Sequence, residues 1–328
     1  MHAVMAKRLL PHEPSVDVDA ENPADDSDSP AIEAAALDIP PPPQAMDQTQ
    51  QKALWERISD PARFNPVDEG TKLRFEILMA HIMPREGDDP KIKRYVVYEL
   101  TVRRDSNVMD AQPVKIERRY TDFRELYQCL KREHPNELSN LTFPNKVLMG
   151  NFSSELIGER SEAFEAFLTR IDEQTKLRDS NAFLRFLQHE ELTKACQFLD
   201  ERRNEMAIPI LENCFLLLNK VYMNRSRPVV LILCRLVAAC TVSPVPHHSA
   251  KSWADLALSR FEHLCDIDLL PLYIPLLHTC VHLWWQRGLD QTLITNRLTN
   301  MSKQGINTAN TTSLIQAIHK LDPRTETI

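Results

Sequence analysis

The chain has 328 residues, a 43% apolar fraction and a net charge of −7, values typical of a soluble protein with more than one domain. It has six glycines, none in a G-x-G-x-x-G or G-x-x-x-x-G-K-[ST] pattern, which argues against a glycine-rich nucleotide-binding loop. Seven cysteines without a C-x-x-C pair argue against a disulfide framework or a four-thiolate zinc site, and they indicate a reducing, cytoplasmic compartment.

The negative charge is concentrated at the start of the chain. Residues 1–50 contain ten acidic and two basic side chains, so the remainder is nearly neutral. We predict that residues 1–53 form a disordered acidic tail, because they offer too little apolar surface to offset the entropy of ordering. The rest of the chain has no broad basic stripe for nucleic acid and no uninterrupted run of about 20 apolar residues. We therefore expect no nucleic-acid partner and only peripheral contact with membranes.

Residues 71–120 have the pattern of β-strands. Apolar side chains alternate with polar ones at Leu73, Phe75, Ile77 and Met79, as in a half-buried strand. A turn at residues 87–90 precedes a β-rich run at 91–104, and a third strand begins at Val114. Short connections between three strands predict an antiparallel meander.

The pattern becomes helical after residue 120. Phe123, Leu126, Tyr127 and Leu130 follow helical spacing, with Thr121 or Asp122 as the predicted cap. A loop at 139–150 precedes a helix at about 154–174 and a shorter helix at 183–187. The predicted fold class of this part is α+β, with a three-stranded antiparallel sheet and helices.

Beyond residue 190 the spacing predicts helices throughout. About six apolar stripes follow one another, and the segment 229–242 is apolar on all sides, which predicts a central helix. The expected architecture is an all-α array of helix pairs without a strict repeat period.

The stretch Arg118-Arg119-Tyr120 is the first candidate for a ligand site. Guanidinium groups bind phosphate in a two-pronged manner and a neighbouring ring can stack on a sugar, although basic residues at a strand end are also common on solvated edges. Alternation places Arg118 on the core face with Val114 and Ile116, and Arg119 on the other face. Arg160 lies near the apolar side of its helix, where it needs an anion unless its stem extends to solvent.

The order of these elements resembles the PX domain: three strands, Arg-Arg-Tyr-x-x-Phe, a helix, a proline loop with a lysine, and a helix with an arginine. That family binds phosphoinositide headgroups, most often phosphatidylinositol 3-phosphate. The resemblance implies that Arg119 binds the 3-phosphate and that Tyr120 stacks under the inositol ring. It also implies that Lys146 binds the 1-phosphate and that Arg160 binds ring hydroxyls. The family's loop usually has several prolines, whereas this loop has only Pro144.

The apolar tip Val147-Leu148-Met149 lies in the same loop. We interpret it as a membrane-insertion wedge, with burial in the core as the alternative. The helical half, together with the acidic tail, is similar to the sorting nexins that have a C-terminal TPR-like, PX-associated helical domain. About 138 residues broken by five prolines are too few for a BAR domain. The predicted domains are thus 1–53 (tail), 54–190 (PX domain with a lead-in) and 191–328 (TPR-like domain).

Other chemistry has little support. His278 and His282 have the spacing of a zinc pair but no evident third ligand, and His247-His248-Ser249 is an improbable nucleophile and base. We expect no metal, no cofactor and no catalytic residue. The predicted function is a peripheral adaptor that binds phosphatidylinositol 3-phosphate on early endosomes and recruits a protein partner through its helical domain. The alternative is an interaction scaffold whose PX domain binds lipid weakly or prefers another phosphoinositide.

Overall fold

The computed structural model describes residues 72–83, 94–104, 113–147, 149–222, 226–242, 245–262, 267–309 and 312–322. The predicted acidic tail, the turn at 87–90 and Leu148 lie outside these residues. All described residues belong to one compact unit.

Three antiparallel strands form a sheet in the order β1-β2-β3, which confirms the predicted meander. They are β1 (Leu73–Met83), β2 (Tyr95–Arg104) and β3 (Val114–Arg119). Leu73, Phe75 and Ile77 are buried, as their alternation predicts. The prediction that Met79 continues this buried face is wrong, because the register shifts between Ile77 and Met79 and leaves Met79 exposed.

Four helices follow the sheet, and their buried apolar side chains close its core. They are α1 (Tyr120–Glu133), α2 (Ser154–Glu173), the short α3 (Thr175–Arg178) and α4 (Asn181–Asp200). At the centre, the Phe123 and Phe164 rings stack with centroids 3.9 Å apart, and Tyr98 of β2 meets both rings edge-on. This ring cluster fixes α1 and α2 against the sheet.

Helix α1 begins earlier than predicted. Its cap is Arg119, not Thr121 or Asp122, and strand β3 passes directly into the helix. The Arg119 amide donates a 2.7 Å hydrogen bond to Asp122 Oδ2, which satisfies a backbone donor at the helix start. The backbone of Arg119 is therefore held at the junction between β3 and α1.

The described part of the chain after α4 is helical, as predicted. The helices are α5 (Asn204–Val221), α6 (Arg227–Thr241), α7 (Ala250–Phe261), α8 (Leu270–Gln286), α9 (Thr292–Lys303) and α10 (Leu314–Leu321). Successive helices pack against one another from α4 to α9, and α10 returns to pack on α6 and α8. Helix α6 is buried along 229–240, which confirms its predicted central position.

The predicted boundary between residues 190 and 191 falls inside α4. This 20-residue helix packs against α1 on the sheet side and against α5 on the helical side. Arg104 also donates to the Lys220 carbonyl oxygen at 2.7 Å, so β2 contacts the end of α5. The predicted domain limits remain a prediction, and one continuous helix crosses the limit between residues 190 and 191.

Candidate functional site

The neighbouring arginines 118 and 119 have different environments. Arg118 is 2% exposed and forms two hydrogen bonds of 2.6 and 2.7 Å to the Glu191 carboxylate. Its Nε donates to the Phe186 carbonyl oxygen at 2.7 Å. Arg119 is exposed, and its guanidinium carbon lies 3.6 Å from the centroid of the Tyr95 ring. Strand alternation thus assigned the two side chains correctly, and only Arg119 is accessible to a ligand.

Arg160 is a buried cation whose charge no carboxylate of the described residues neutralises. It is 2% exposed, and none of the described Asp or Glu side chains lies within 4.0 Å of it. Its Nη2 donates to Asn151 Oδ1 at 3.3 Å and to the Asn145 carbonyl oxygen at 3.5 Å, whereas its buried Nε has no acceptor. Burying a guanidinium in this way is costly unless an anion or further acceptors complete its coordination.

Tyr120 connects this arginine to the proline loop. The Arg160 guanidinium carbon lies 4.3 Å from the Tyr120 ring centroid, within the range of a cation–π contact. The Tyr120 hydroxyl donates to the Pro144 carbonyl oxygen at 2.9 Å. Asn151 Nδ2 also donates to the Val147 carbonyl oxygen at 3.1 Å, so side chains hold this loop although it has only one proline.

Tyr98 lies close enough to Arg160 for the two groups to interact electrostatically. Burial raises the pKa of Tyr98, and the positive charge of Arg160 acts in the opposite direction with a smaller effect. Tyr98 is therefore neutral at pH 7 and offers no negative charge to the guanidinium. The described surroundings of Arg160 therefore contain neutral acceptors and aromatic rings but no negative charge within ion-pair distance.

The remaining predicted residues lie along the loop between Pro144 and α2. Lys146 is exposed and follows Asn145, whose carbonyl oxygen contacts Arg160. Val147 is half-buried, whereas Met149 is 89% exposed. Gly150 has φ +76°, a left-handed conformation that favours glycine at this turn. Because Leu148 lies outside the described residues, the insertion wedge remains a prediction.

Four contacts and three pairs of chain neighbours connect seven residues in a closed series, called the contact ring. Its members, taken in order, are Arg119, Tyr95, Arg94, Phe152, Asn151, Arg160 and Tyr120. The contact ring contains three guanidinium groups, and each of them lies over an aromatic side chain. Among the described residues none of the three pairs with a carboxylate. Tyr120 thus contacts Arg160 and follows Arg119 in the chain, and Lys146 lies on the loop beside Asn145, whose carbonyl oxygen contacts Arg160.

Sequence reasoning missed four members of this ring. Tyr95 was seen only as part of a β-rich run, and Arg94, Asn151 and Phe152 were not selected. The spacing of residues along one strand does not reveal which side chain on the next strand lies beneath a guanidinium. The signal that could have found Tyr95 is its type, because an aromatic residue near a strand end suits an arginine on the adjacent strand.

The other candidate groups have local roles. His278 Nε2 lies 2.8 Å from the Thr308 carbonyl oxygen, and no described cluster of three or more His, Cys, Asp or Glu side chains could hold a metal. His247 Nδ1 lies 2.7 Å from Ser249 Oγ, so these two residues do meet, contrary to the sequence-based expectation. Ser249 is buried ahead of α7 and its Oγ is not open to a substrate. Among the described helices, none is long and apolar enough to cross a bilayer.

Comparisons with known proteins show a family match over part of the chain and similarity to two named relatives. The PX domain family matches residues 106–190. The chain is 30% identical over 235 residues to sorting nexin-21 from Homo sapiens, an alignment that covers 72% of this chain and 61% of that protein. It is 28% identical over 249 residues to sorting nexin-20 from Rattus norvegicus, with 76% of this chain and 72% of that protein covered. Residues 106–190 thus match the PX domain family, and the chain is similar to the sorting nexins.

The extent of the likeness differs between relatives. The chain covers less than two thirds of human sorting nexin-21, and 45% of sorting nexin-20 from Bos taurus, to which it is 32% identical over 161 residues. A designed CISK-PX domain of known structure aligns with 34% of this chain at 19% identity and a TM-score of 0.28. The matched residues 106–190 of the PX domain include Arg119, Tyr120, Lys146 and Arg160.

Proposed function

We propose that this PX-domain protein is a non-enzymatic adaptor that binds phosphatidylinositol 3-phosphate on the cytoplasmic face of early endosomes. The observation that carries the proposal is Arg160, a 2% exposed guanidinium over the Tyr120 ring without a carboxylate partner among the described residues. An inositol phosphate supplies both the hydroxyl acceptors and the negative charge that this site needs.

Each site residue has a role that suits its environment. The exposed guanidinium of Arg119 binds the 3-phosphate, and the Tyr120 ring, already in contact with Arg160, packs under the inositol. Lys146 reaches the 1-phosphate as an exposed point charge on the loop, and Arg160 donates to ring hydroxyls. These roles follow the PX pattern, and the contact between the Arg160 guanidinium and the Tyr120 ring supports them.

Membrane attachment combines headgroup binding with insertion of the loop tip. Burying an exposed side chain such as Met149 contributes about 1.5–3 kcal/mol. Each nearby Lys or Arg adds about 1 kcal/mol at an anionic membrane surface. The sum favours reversible, peripheral attachment over permanent anchoring.

The helical half provides the surface for a protein partner in endosomal trafficking. A cleft of about 320 Å³ lies between α6, α8 and α10, lined by Ala238, Val242 and Ile315 with the imidazoles of His278 and His282. Such an open, mainly apolar groove supports partner binding. The names of the similar proteins, sorting nexin-20 and sorting nexin-21, agree with a role in sorting.

One observation favours the alternative, in which the protein is a scaffold with weak or different phosphoinositide binding. The Arg119 guanidinium lies on Tyr95, while Arg160 lies on Tyr120. The two guanidinium groups thus contact different aromatic rings, and any rotation of Arg119 toward a headgroup must break its contact with Tyr95. A small rotation of Arg119 costs little free energy, whereas an Arg119 side chain held firmly on Tyr95 would weaken headgroup binding.

Vesicle binding by the full chain tests the proposal. We expect the wild type to bind vesicles that contain phosphatidylinositol 3-phosphate, and Arg119→Ala to reduce the affinity about a hundredfold, because two charge-assisted hydrogen bonds are lost. Lys131→Ala is the matched control, since Lys131 is also an exposed cation over a ring, Tyr127, at the other end of α1. Undiminished binding of Arg119→Ala would show that the pocket is assigned to the wrong residues.

A further inference from the structure

Two buried polar atoms in the core beneath Tyr120 have no hydrogen-bond partner among the described residues. They are the hydroxyl oxygen of Tyr98 and the Nε donor of Arg160. Tyr98 lies in the middle of β2 and is 0% exposed, although a tyrosine hydroxyl is usually hydrogen-bonded when it is buried. Each unpaired group carries a desolvation cost that a suitable partner would remove.

The packing of the core brings these two groups close to each other. The Phe164 ring meets the Tyr98 ring edge-on with centroids 5.2 Å apart, and Arg160 lies one turn before Phe164 on the buried side of α2. Burial raises the pKa of Tyr98, and the neighbouring Arg160 guanidinium acts on this pKa in the opposite direction. A donor and an acceptor therefore lie in one buried place without forming a well-aligned hydrogen bond.

The contacts of Arg160 explain why its Nε is unpaired. The Nη2 atom donates to Asn151 Oδ1 at 3.3 Å and to the Asn145 carbonyl oxygen at 3.5 Å, and the guanidinium lies over the Tyr120 ring. Both hydrogen bonds are longer than the usual 2.7–3.2 Å, so they are weak. These contacts set the plane of the guanidinium, and a ligand that offers Nη2 better acceptors allows the plane to turn.

We propose that Tyr98 is a positioning residue for the headgroup site, because its hydroxyl accepts a hydrogen bond from Arg160 Nε when inositol hydroxyls replace the two asparagine acceptors. With Nε directed at the core, both Nη groups of the guanidinium fork are directed at the ligand. Tyr98 itself does not contact the inositol. This inference rests on the proposed function, since it names a further residue that acts on the same site.

The test removes one oxygen atom from the core. Tyr98→Phe keeps the edge-on ring contacts with Phe123 and Phe164, so we expect its urea midpoint to equal or exceed that of the wild type. We expect its affinity for soluble inositol 1,3-bisphosphate, measured by calorimetry with the full chain, to fall about fivefold. A hydroxyl with a merely structural role would instead lower the midpoint and leave the affinity unchanged.

Tyr222→Phe is the matched control, because it removes the same atom from a tyrosine whose hydroxyl is already engaged. Tyr222 is 9% exposed, and its hydroxyl donates to the Arg178 carbonyl oxygen at 3.1 Å in the helical half. We expect Tyr222→Phe to lower the urea midpoint and to bind the soluble headgroup as tightly as the wild type. The two tyrosine variants should thus show opposite patterns.

A double substitution connects the loss of affinity to Arg160. A lysine ends in a single ammonium group, without the separate side donor that Nε provides. On vesicles with phosphatidylinositol 3-phosphate, Tyr98→Phe should therefore weaken binding about fivefold in the wild type and by less than about twofold in Arg160→Lys. Equal losses in both backgrounds would show that Tyr98 does not act through Arg160, and would overturn the inference.

The outcomes separate the positioning role from the proposed function. If the wild type binds the soluble headgroup and Tyr98→Phe binds it equally well, the positioning role is refuted while the proposed function stands. A lower urea midpoint for Tyr98→Phe also overturns the inference, because the hydroxyl would then be engaged without ligand. If the wild type binds neither the soluble headgroup nor the vesicles, the proposed function fails and the positioning role fails with it.

Discussion

Arg118 and Glu191 form a two-pronged ion pair, with Nη1–Oε1 and Nη2–Oε2 distances of 2.6 and 2.7 Å. The pair joins the end of strand β3 to the middle of helix α4, which continues into the helical half. The adjacent Arg119 has no such partner among the described residues and stays exposed. The two neighbouring arginines thus differ in role, because Arg118 stabilises the fold and Arg119 is exposed to solvent, where the proposed ligand would bind.

Removing Arg118 should destabilise the fold without removing the lipid site. Arg118→Ala leaves the partly buried Glu191 carboxylate without its partner, so we expect the free energy of unfolding to fall by about 3 kcal/mol. Urea unfolding of the full chain measures this change. Arg119→Ala serves as the comparison and should leave the free energy of unfolding within about 0.5 kcal/mol of the wild type. Equal losses in the free energy of unfolding for the two substitutions would contradict the different roles of Arg118 and Arg119.

The two functions of Tyr120 can be separated by substitution. Tyr120→Phe loses the hydrogen bond to Pro144 but keeps the ring under Arg160, so stability should fall by about 1 kcal/mol with little change in headgroup affinity. Tyr120→Leu also loses the ring, and we expect about a fivefold weaker affinity. Calorimetry with soluble inositol 1,3-bisphosphate distinguishes the two variants. Equal affinities would mean that the ring does not contact the inositol.

The strands and the choice between the two arginines could be predicted from the sequence. Val114, Ile116 and Arg118 share one face because successive side chains of a strand alternate, and the structure buries all three. The same rule failed at Met79, because the register shift after Ile77 turns it outward. Alternation is reliable only where the pairing is regular, and a bulge has no clear signature in this stretch.

The long-range parts of the site could not be predicted. Tyr95 lies under Arg119 because of the pairing of β2 with β3, and Asn151 meets Arg160 because the loop turns back at Gly150. Both contacts depend on tertiary geometry that spacing does not encode. Helix α4 was predicted to be short, yet its buried Leu192 and Ala195 extend the apolar face past the expected boundary. The position of Arg160 could be predicted, because its helical neighbours Phe164 and Phe167 define the buried side.

The C-terminal helix is held to the centre of the helical half by a buried ion pair. Arg235 Nη2 of α6 lies 3.1 Å from Oδ2 of Asp322, which follows α10, and both side chains are buried. Asp322→Ala should lower the free energy of unfolding by about 3–5 kcal/mol, because the guanidinium loses this carboxylate in a low-dielectric site. Lys320→Ala, at an exposed position of α10, is the control and should change it by less than about 0.5 kcal/mol. A loss below about 1 kcal/mol for Asp322→Ala would refute the role of the pair.

Acid should weaken the fold partly through His247. Burial, together with the nearby charges of His248 and Arg287, lowers the pKa of His247 from 6.5 to about 4. The unfolded chain therefore binds the proton more readily, and the contribution of His247 to stability is complete above about pH 6.5 and is lost as the pH falls towards about 4. Because the side chain is half-buried, solvent screening moderates the effect.

His247→Gln isolates this contribution, because it removes the titrating group. We expect the free energy of unfolding of the wild type to fall more steeply than that of the variant between about pH 6.5 and pH 5. Denaturant unfolding at a series of pH values measures both slopes. Parallel slopes would show that His247 keeps an ordinary pKa in the folded protein.

The central claim is that the arginine and tyrosine site recognises the 3-phosphate of inositol. The most direct measurement is the affinity of the wild-type full chain for vesicles of equal charge that contain either phosphatidylinositol 3-phosphate or phosphatidylinositol 4-phosphate. We predict that the 3-phosphate lipid binds at least about tenfold more tightly, because moving the phosphate away from Arg119 costs at least one charge-assisted hydrogen bond. Equal affinity for the two lipids, or no binding to either, would contradict the proposed function.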